Sequence, residues 1–161
     1  MILVDSGPLV ALSDGRDHHH EHCREVLEEL DEDLLTTTPV LTEAFHLLRP
    51  GTHRVSGLMD FVRQGGVGVL PIGDRNLHRC FDLMLRYMDS PMDFADASIV
   101  SAAEEVGTNK VFTLDYRHFA TYRIQRGYHQ IPFTIIGDPS GPRFVREGVG
   151  QDEEVEPAHT P

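Results

Sequence analysis

The chain has 161 residues, of which 40% are hydrophobic and 25% charged, globular proportions that exclude wholesale disorder and fit one domain around one core. A formal net charge of -12 excludes passive adhesion to a polyanion, so a phosphate-bearing ligand has to be met by bound cations or a local arginine patch. Cys23 and Cys80 lie far apart, which argues against a disulfide framework or a C-x-x-C zinc site and for a reducing compartment. No apolar run approaches a signal h-region or a membrane span, and a cytoplasmic protein without membrane contact is expected.

Residues 1–4 form a short apolar run that reads as a buried strand, closed by Asp5. Ser6-Gly7-Pro8 then turns the chain into a short helical piece over residues 9–12. In residues 19–30, Cys23, Val26, Leu27 and Leu30 recur at helical spacing with glutamates elsewhere, the pattern of an amphipathic helix. Residues 34–37 are strand-prone, and Thr38-Pro39 supplies an N-cap and a first-turn proline for a helix ending at Leu48, before Arg49-Pro50-Gly51.

Residues 56–64 predict a further helix, broken by Gly65-Gly66, and residues 67–72 a strand. Residues 76–88 carry Leu77, Cys80, Phe81, Met84, Leu85 and Met88 at helical spacing and are expected to face the core. An Ala-rich helix over residues 93–106 stops at Gly107, followed by a strand over 111–114, a short helix over 117–126 and a last strand over 133–136. Short apolar strands alternating with helices predict an α/β fold, a parallel-sheet α/β/α sandwich with helices on both faces. The domain is expected to span residues 1–136, with residues 137–161 an acidic, solvated C-terminal tail.

Four acids stand at element boundaries or among apolar neighbours. Asp5 and Asp115 close strands, and the carboxyl ends of parallel strands form the usual ligand crevice. Either could instead cap a turn. Glu43 lies among Val40, Leu41, Ala44, Phe45, Leu47 and Leu48, where a glutamate is rarely buried without a partner; its alternative is an exposed stripe beside Thr42 and His46. Asp93 and Asp96, three apart at a helix start, fit an N-cap and the N3 position, both favoured by the helix dipole. Ionised oxygens lose their water on burial, so four such acids converging would demand a cation.

These residues carry a resemblance: Ile-Leu-Val-Asp-Ser at the start, Glu43 in the helix after Thr38-Pro39, Asp-x-x-Asp-Ala-x-Ile-Val-x-x-Ala from Asp93, and Phe-Thr-x-Asp-x-x-x-Phe from Phe112. Over residues 1–136 the chain resembles PIN-domain proteins and is similar to VapC-like toxins and stand-alone PIN nucleases. The resemblance implies an acidic quartet of Asp5, Glu43, Asp96 and Asp115, with Asp93 as an extra acid found in a subset, and Ser6 and Thr113 as hydroxyls beside it. It implies one or two Mg²⁺ or Mn²⁺ ions, hydrolysis of RNA to leave a 5′-phosphate, a small antitoxin partner and a homodimer. Oxygen ligands suit such hard cations. A non-catalytic PIN fold that binds RNA or protein is the alternative.

Substrate phosphates would find arginines at Arg117, Arg123 and Arg126 after Asp115, or at Arg75, Arg79 and Arg86; a solvated face with ion pairs is the other reading of both sets. His18, His19, His20 and His22 read as a polar loop entering a helix rather than as a transition-metal site. A haloacid-dehalogenase-type phosphatase needs a second Asp where Gly7 stands, and a receiver domain needs a lysine at a strand end, whereas Lys110 begins one.

Overall fold

A computed structural model describes residues 1–90 and 92–138. Five parallel strands form the central sheet: β1 (Ile2–Val4), β2 (Leu34–Thr37), β3 (Gly68–Leu70), β4 (Lys110–Phe112) and β7 (Thr134–Ile136), in the spatial order β3-β2-β1-β4-β7. Helices α1 (Ser6–Ser13), α2 (His20–Glu29), α3 (Thr38–Leu48), α4 (His53–Arg63), α5 (Asp74–Arg86), α6 (Phe94–Val106) and α7 (Tyr116–Thr121) cover both faces, giving the α/β/α sandwich. The core gathers β1, Val111 and Phe112 of β4, and the buried face of α6 from Ala97 to Ala103. None of the described helices is long and apolar enough to cross a membrane.

The chain leaves β1 to build outward through β2 and β3, then returns to place β4 on the other side of β1. The strand order therefore reverses between β1 and β4, registered Leu3 to Val111 and Val4 to Phe112. In an open parallel sheet the crevice outside the carboxyl ends at such a reversal is the natural ligand position. Asp5 and Asp115 leave the sheet there.

Local chemistry explains where the elements begin, with three departures from the sequence expectations. Helix α1 starts directly at Ser6, with Asp5 as its N-cap, because Pro8 in a first turn removes no needed donor. The cap of α3 is Thr37 rather than Thr38; its Oγ1 accepts from Val40 N at 3.4 Å and pairs with Ser98 Oγ at 2.5 Å, a buried tie between β2 and α6. Residues 123–126 are not helical. They form β5 (Arg123–Arg126), antiparallel to β6 (His129–Pro132), joined by Gly127-Tyr128. Gly127 has φ of 59°, which suits the first position of a II′ hairpin turn and which a side chain would resist.

The apolar face of α5 also differs from expectation. Cys80 and Leu83 are buried, whereas Phe81, Leu85 and Met88 are 46%, 67% and 69% exposed. The apolar stripe of α5 is wider than the surface it packs on, so Cys80 and Leu83 at one edge are buried while Phe81, Leu85 and Met88 at the other are left exposed. Cys23 and Cys80 are free and buried, and burial pushes their thiols up to about 12 and about 11. Both are therefore inert as nucleophiles. Residues 139–161, most of the expected tail, lie outside the described residues.

Candidate active site

Asp5, Glu43, Asp93, Asp96 and Asp115 line one pocket of about 490 Å³, together with Ser6, Gly7, Leu114 and His118. Four chain segments contribute: the end of β1, α3, the start of α6, and the turn after β4. Their convergence follows from topology, since β1 and β4 are neighbours and α6 packs across β1 and β2.

Each acid except Glu43 is held by a local partner. Asp5 is 7% exposed; its Oδ1 accepts from Ser6 N at 2.6 Å and its Oδ2 from the Thr113 hydroxyl at 2.7 Å. The same Thr113 oxygen accepts from Asp115 N at 2.9 Å, so one hydroxyl ties both strand-end acids together. Asp115 caps α7 through Oδ1, which accepts from His118 N at 3.1 Å, while its Oδ2 meets His118 Nδ1 at 2.6 Å. Asp93 caps α6 by accepting from Asp96 N at 2.8 Å. Asp96 in turn accepts from the Tyr122 hydroxyl at 2.9 Å. Both capping alternatives from the sequence are thus realised at residues that also face the pocket.

Burial and mutual repulsion set the electrostatics. Burial pushes the Asp5 carboxyl up to about 6, opposed by the Thr113 and Ser6 hydrogen bonds and reinforced by Glu43 and Asp93. Burial, then the charges of Asp93 and Asp5, push Asp96 up to about 8. No described arginine or lysine pairs with any of the five acids. Removing the Thr113 hydroxyl tests how much of this is held by hydrogen bonding. Thr113→Val is expected to destabilise the protein by about 1–3 kcal/mol, since a buried carboxylate and an amide each lose a partner; a loss in urea titration below about 0.5 kcal/mol would show that water replaces the hydroxyl.

Among the described residues no three His, Cys, Asp or Glu side chains are gathered into a ready-made metal cage. The donor set nevertheless fits a hard, hydrated cation. It is dominated by carboxylate oxygens, two of them pushed up by burial and then by neighbouring negative charge, and Mg²⁺ characteristically takes one or two carboxylates directly and keeps several waters.

The arginines expected near the crevice divide. Arg79 is engaged by Glu104 through two bonds of 2.7 and 2.8 Å. Arg123 Nη1 donates to the carbonyls of Ala120 and Tyr122, each at 2.8 Å. Arg126 Nη2 donates to the Gly107 carbonyl at 2.8 Å, at the C-terminal end of α6. That end is about 20 Å, thirteen residues of helix, from the end carrying Asp96, so Arg126 does not belong to the crevice. Arg117 is exposed, two residues from Asp115. Among the histidines, His20 Nδ1 meets the Ala11 carbonyl at 2.8 Å and His22 Nε2 the Gly137 carbonyl at 2.7 Å, tertiary contacts that anchor α2.

His118 and Tyr122 were missed by sequence reasoning. His118 sits three residues after Asp115, the spacing of an N-cap and its N3 residue, and that signal was available. Tyr122 contacts an acid 26 positions earlier, which no local spacing encodes.

Comparison with known proteins agrees with the fold. The chain is 24% identical over 137 residues to Ribonuclease VapC26 of Mycobacterium tuberculosis, covering 84% of this chain and 99% of that protein. Its fold is similar to that of Mycobacterium tuberculosis VapC20, described as a sarcin-ricin loop cleaving toxin, with a TM-score of 0.61 and 18% identity over 69% of this chain and 87% of the other. A toxin-antitoxin complex from Klebsiella pneumoniae matches with a TM-score of 0.57 and 17% identity, over 75% of this chain and 92% of that one. The family model described as PIN domain matches residues 2–124, and the chain therefore belongs to the PIN-domain family.

Proposed function

We propose that the protein is a cytoplasmic, Mg²⁺- or Mn²⁺-dependent ribonuclease that hydrolyses RNA phosphodiester bonds and serves as the toxin of a toxin-antitoxin pair. The observation that carries this reading is the convergence of five carboxylates from four chain segments into one pocket at the β1/β4 reversal. Family membership and a relative named as a ribonuclease support it. The toxin-antitoxin complex among the structural neighbours supports a small antitoxin as partner.

In this reading Asp5, Glu43 and Asp96 hold the cation directly or through water, and Asp115 serves a weaker second position. When bound, one or two such ions supply charge neutralisation at the scissile phosphate and an activated water. The chain's own part is to hold the oxygens in place. Ser6 N and Thr113 fix Asp5, Thr113 joins Asp5 to Asp115, Asp93 fixes the first turn of α6, and His118 fixes Asp115. Incubation of the protein with structured and single-stranded RNA in Mg²⁺, Mn²⁺ and EDTA tests the reading. Divalent-dependent products with 5′-phosphates are expected; RNA binding without cleavage in either metal would favour the non-catalytic alternative.

Of Arg117, Arg123 and Arg126, Arg117 is exposed and two residues from Asp115, and it is assigned a phosphate contact. Arg117→Glu is expected to weaken RNA binding by about 3–10-fold at low salt and to reduce the salt slope by about one unit. An unchanged slope in a filter-binding series would return Arg117 to the solvated surface. Homodimer formation is part of the proposal, with light scattering as its test: a monomeric mass at micromolar concentration contradicts it.

A further inference from the structure

We infer that Tyr122 is a positioning residue that aims the Asp96 carboxylate at the cation site, an inference that rests on the metal reading above. Tyr122 is fully buried, yet its hydroxyl emerges against Asp96 Oδ2 at 2.9 Å. Its ring is wedged edge-on between Phe119 and Tyr87, with centroids 5.3 and 5.2 Å away, and lies parallel to the His118 ring at 6.3 Å. Packing of this kind fixes where the hydroxyl stands. The Tyr87 hydroxyl points elsewhere, since its Oη accepts from Arg123 N at 3.0 Å and has no bond to Asp96.

The consequence for Asp96 is directional. Its amide is held by Asp93, and one carboxylate oxygen is held by Tyr122, while no described residue donates to Oδ1. One oxygen is therefore anchored to the protein and the other is left for the pocket.

Tyr122 also closes a mechanical connection. Helix α7 has Asp115 as its N-cap and Tyr122 as its C-cap residue, so a six-residue strut has one end on one acid and its other end bonded to another. A tyrosine placed for packing alone needs no hydroxyl, and phenylalanine would fill the same space.

Tyr122→Phe tests the inference, with Mn²⁺ binding to the full chain measured by calorimetry. Partners of metal ligands typically contribute 10–100-fold in affinity, and Tyr122→Phe is expected to bind Mn²⁺ about 10-fold or more weakly than wild type. Raised Mn²⁺ should recover most of its RNA cleavage, since the defect lies in affinity. Tyr87→Phe removes a comparable hydroxyl that does not touch Asp96 and is expected to bind Mn²⁺ as wild type does, whatever it costs in thermal midpoint.

Asp96→Asn separates the two possible failures. If Asp96→Asn loses Mn²⁺ binding while Tyr122→Phe stays within about 2-fold of wild type, the positioning role is wrong and the metal reading stands. If Asp96→Asn binds Mn²⁺ like wild type, the metal reading itself fails. A fall in Mn²⁺ affinity of equal size in Tyr87→Phe and Tyr122→Phe would reduce the effect to general loosening and overturn the inference.

Discussion

Asp96→Asn is expected to abolish metal-dependent RNA cleavage, by about 10²-fold or more, and at the same time to raise the thermal midpoint of the metal-free protein. The two effects have one cause. Asp96 is partly buried beside Asp93 and Asp5, and its carboxyl is pushed up to about 8 from an ordinary value of 3.8. Above 3.8 the unfolded chain gives up this proton, whereas the folded state has to take it up or carry a charge it would be more stable without. Asparagine keeps an acceptor for Tyr122 and removes the charge. With one pKa unit worth about 1.4 kcal/mol and a discount for solvent screening, a gain of about 2 kcal/mol is expected near pH 7.5, or roughly 5–10 °C in midpoint. Such opposition between stability and activity marks a functional site rather than a structural one. A variant that melts lower than wild type without metal and cleaves as well would place Asp96 in the fold's framework instead.

The second large effect is the interplay of pH and cation. Asp5 and Asp96 bind protons more tightly in the folded than in the unfolded state, with folded values of about 6 and about 8. Their contribution to stability is complete below their ordinary value of 3.8 and is lost as pH rises through about 6 and then about 8. Metal-free protein is therefore expected to lose stability between pH 5 and pH 8 relative to Asp96→Asn, in which one of the two groups cannot titrate. A divalent cation takes the place of the protons, so Mn²⁺ should raise the midpoint more at pH 8 than at pH 5.5. At a hundred times its dissociation constant the ion would contribute about 2.7 kcal/mol. Scanning fluorimetry over a grid of pH and Mn²⁺ reads both trends; an Mn²⁺ shift that is the same at both ends of the pH range would separate the cation from these two carboxyls.

How much of this was legible depends on whether a residue's partner is local. Asp5 and Asp115 follow short apolar strands, so a parallel sheet alone places them at its carboxyl edge. Asp93 and Asp96 carry the three-residue spacing of a helix start, and the structure realises that cap. Glu43 stood out as an acid among apolar neighbours, and it faces the pocket. Residues 123–126, the first strand of the β5–β6 hairpin, read as the end of a helix although Ile124 alternates between polar neighbours and Gly127 marks a turn; over four residues those signals compete with the continuing helix of α7. The exposed stripe on α5 is not legible because periodicity marks the apolar face but not how much of its width a neighbour covers. Contacts between distant residues were out of reach altogether. The Thr37–Ser98 pair, the Tyr122–Asp96 bond and the sequestration of Arg79 and Arg126 each join elements whose adjacency only the fold creates.

Anomalous diffraction from crystals soaked in Mn²⁺ tests the central claim most directly. The account predicts one or two anomalous peaks inside the pocket bounded by Asp5, Glu43, Asp96 and Asp115, lost in Asp96→Asn. Peaks confined to another part of the molecule, such as the histidines preceding α2, with an empty pocket at saturating Mn²⁺, would contradict it.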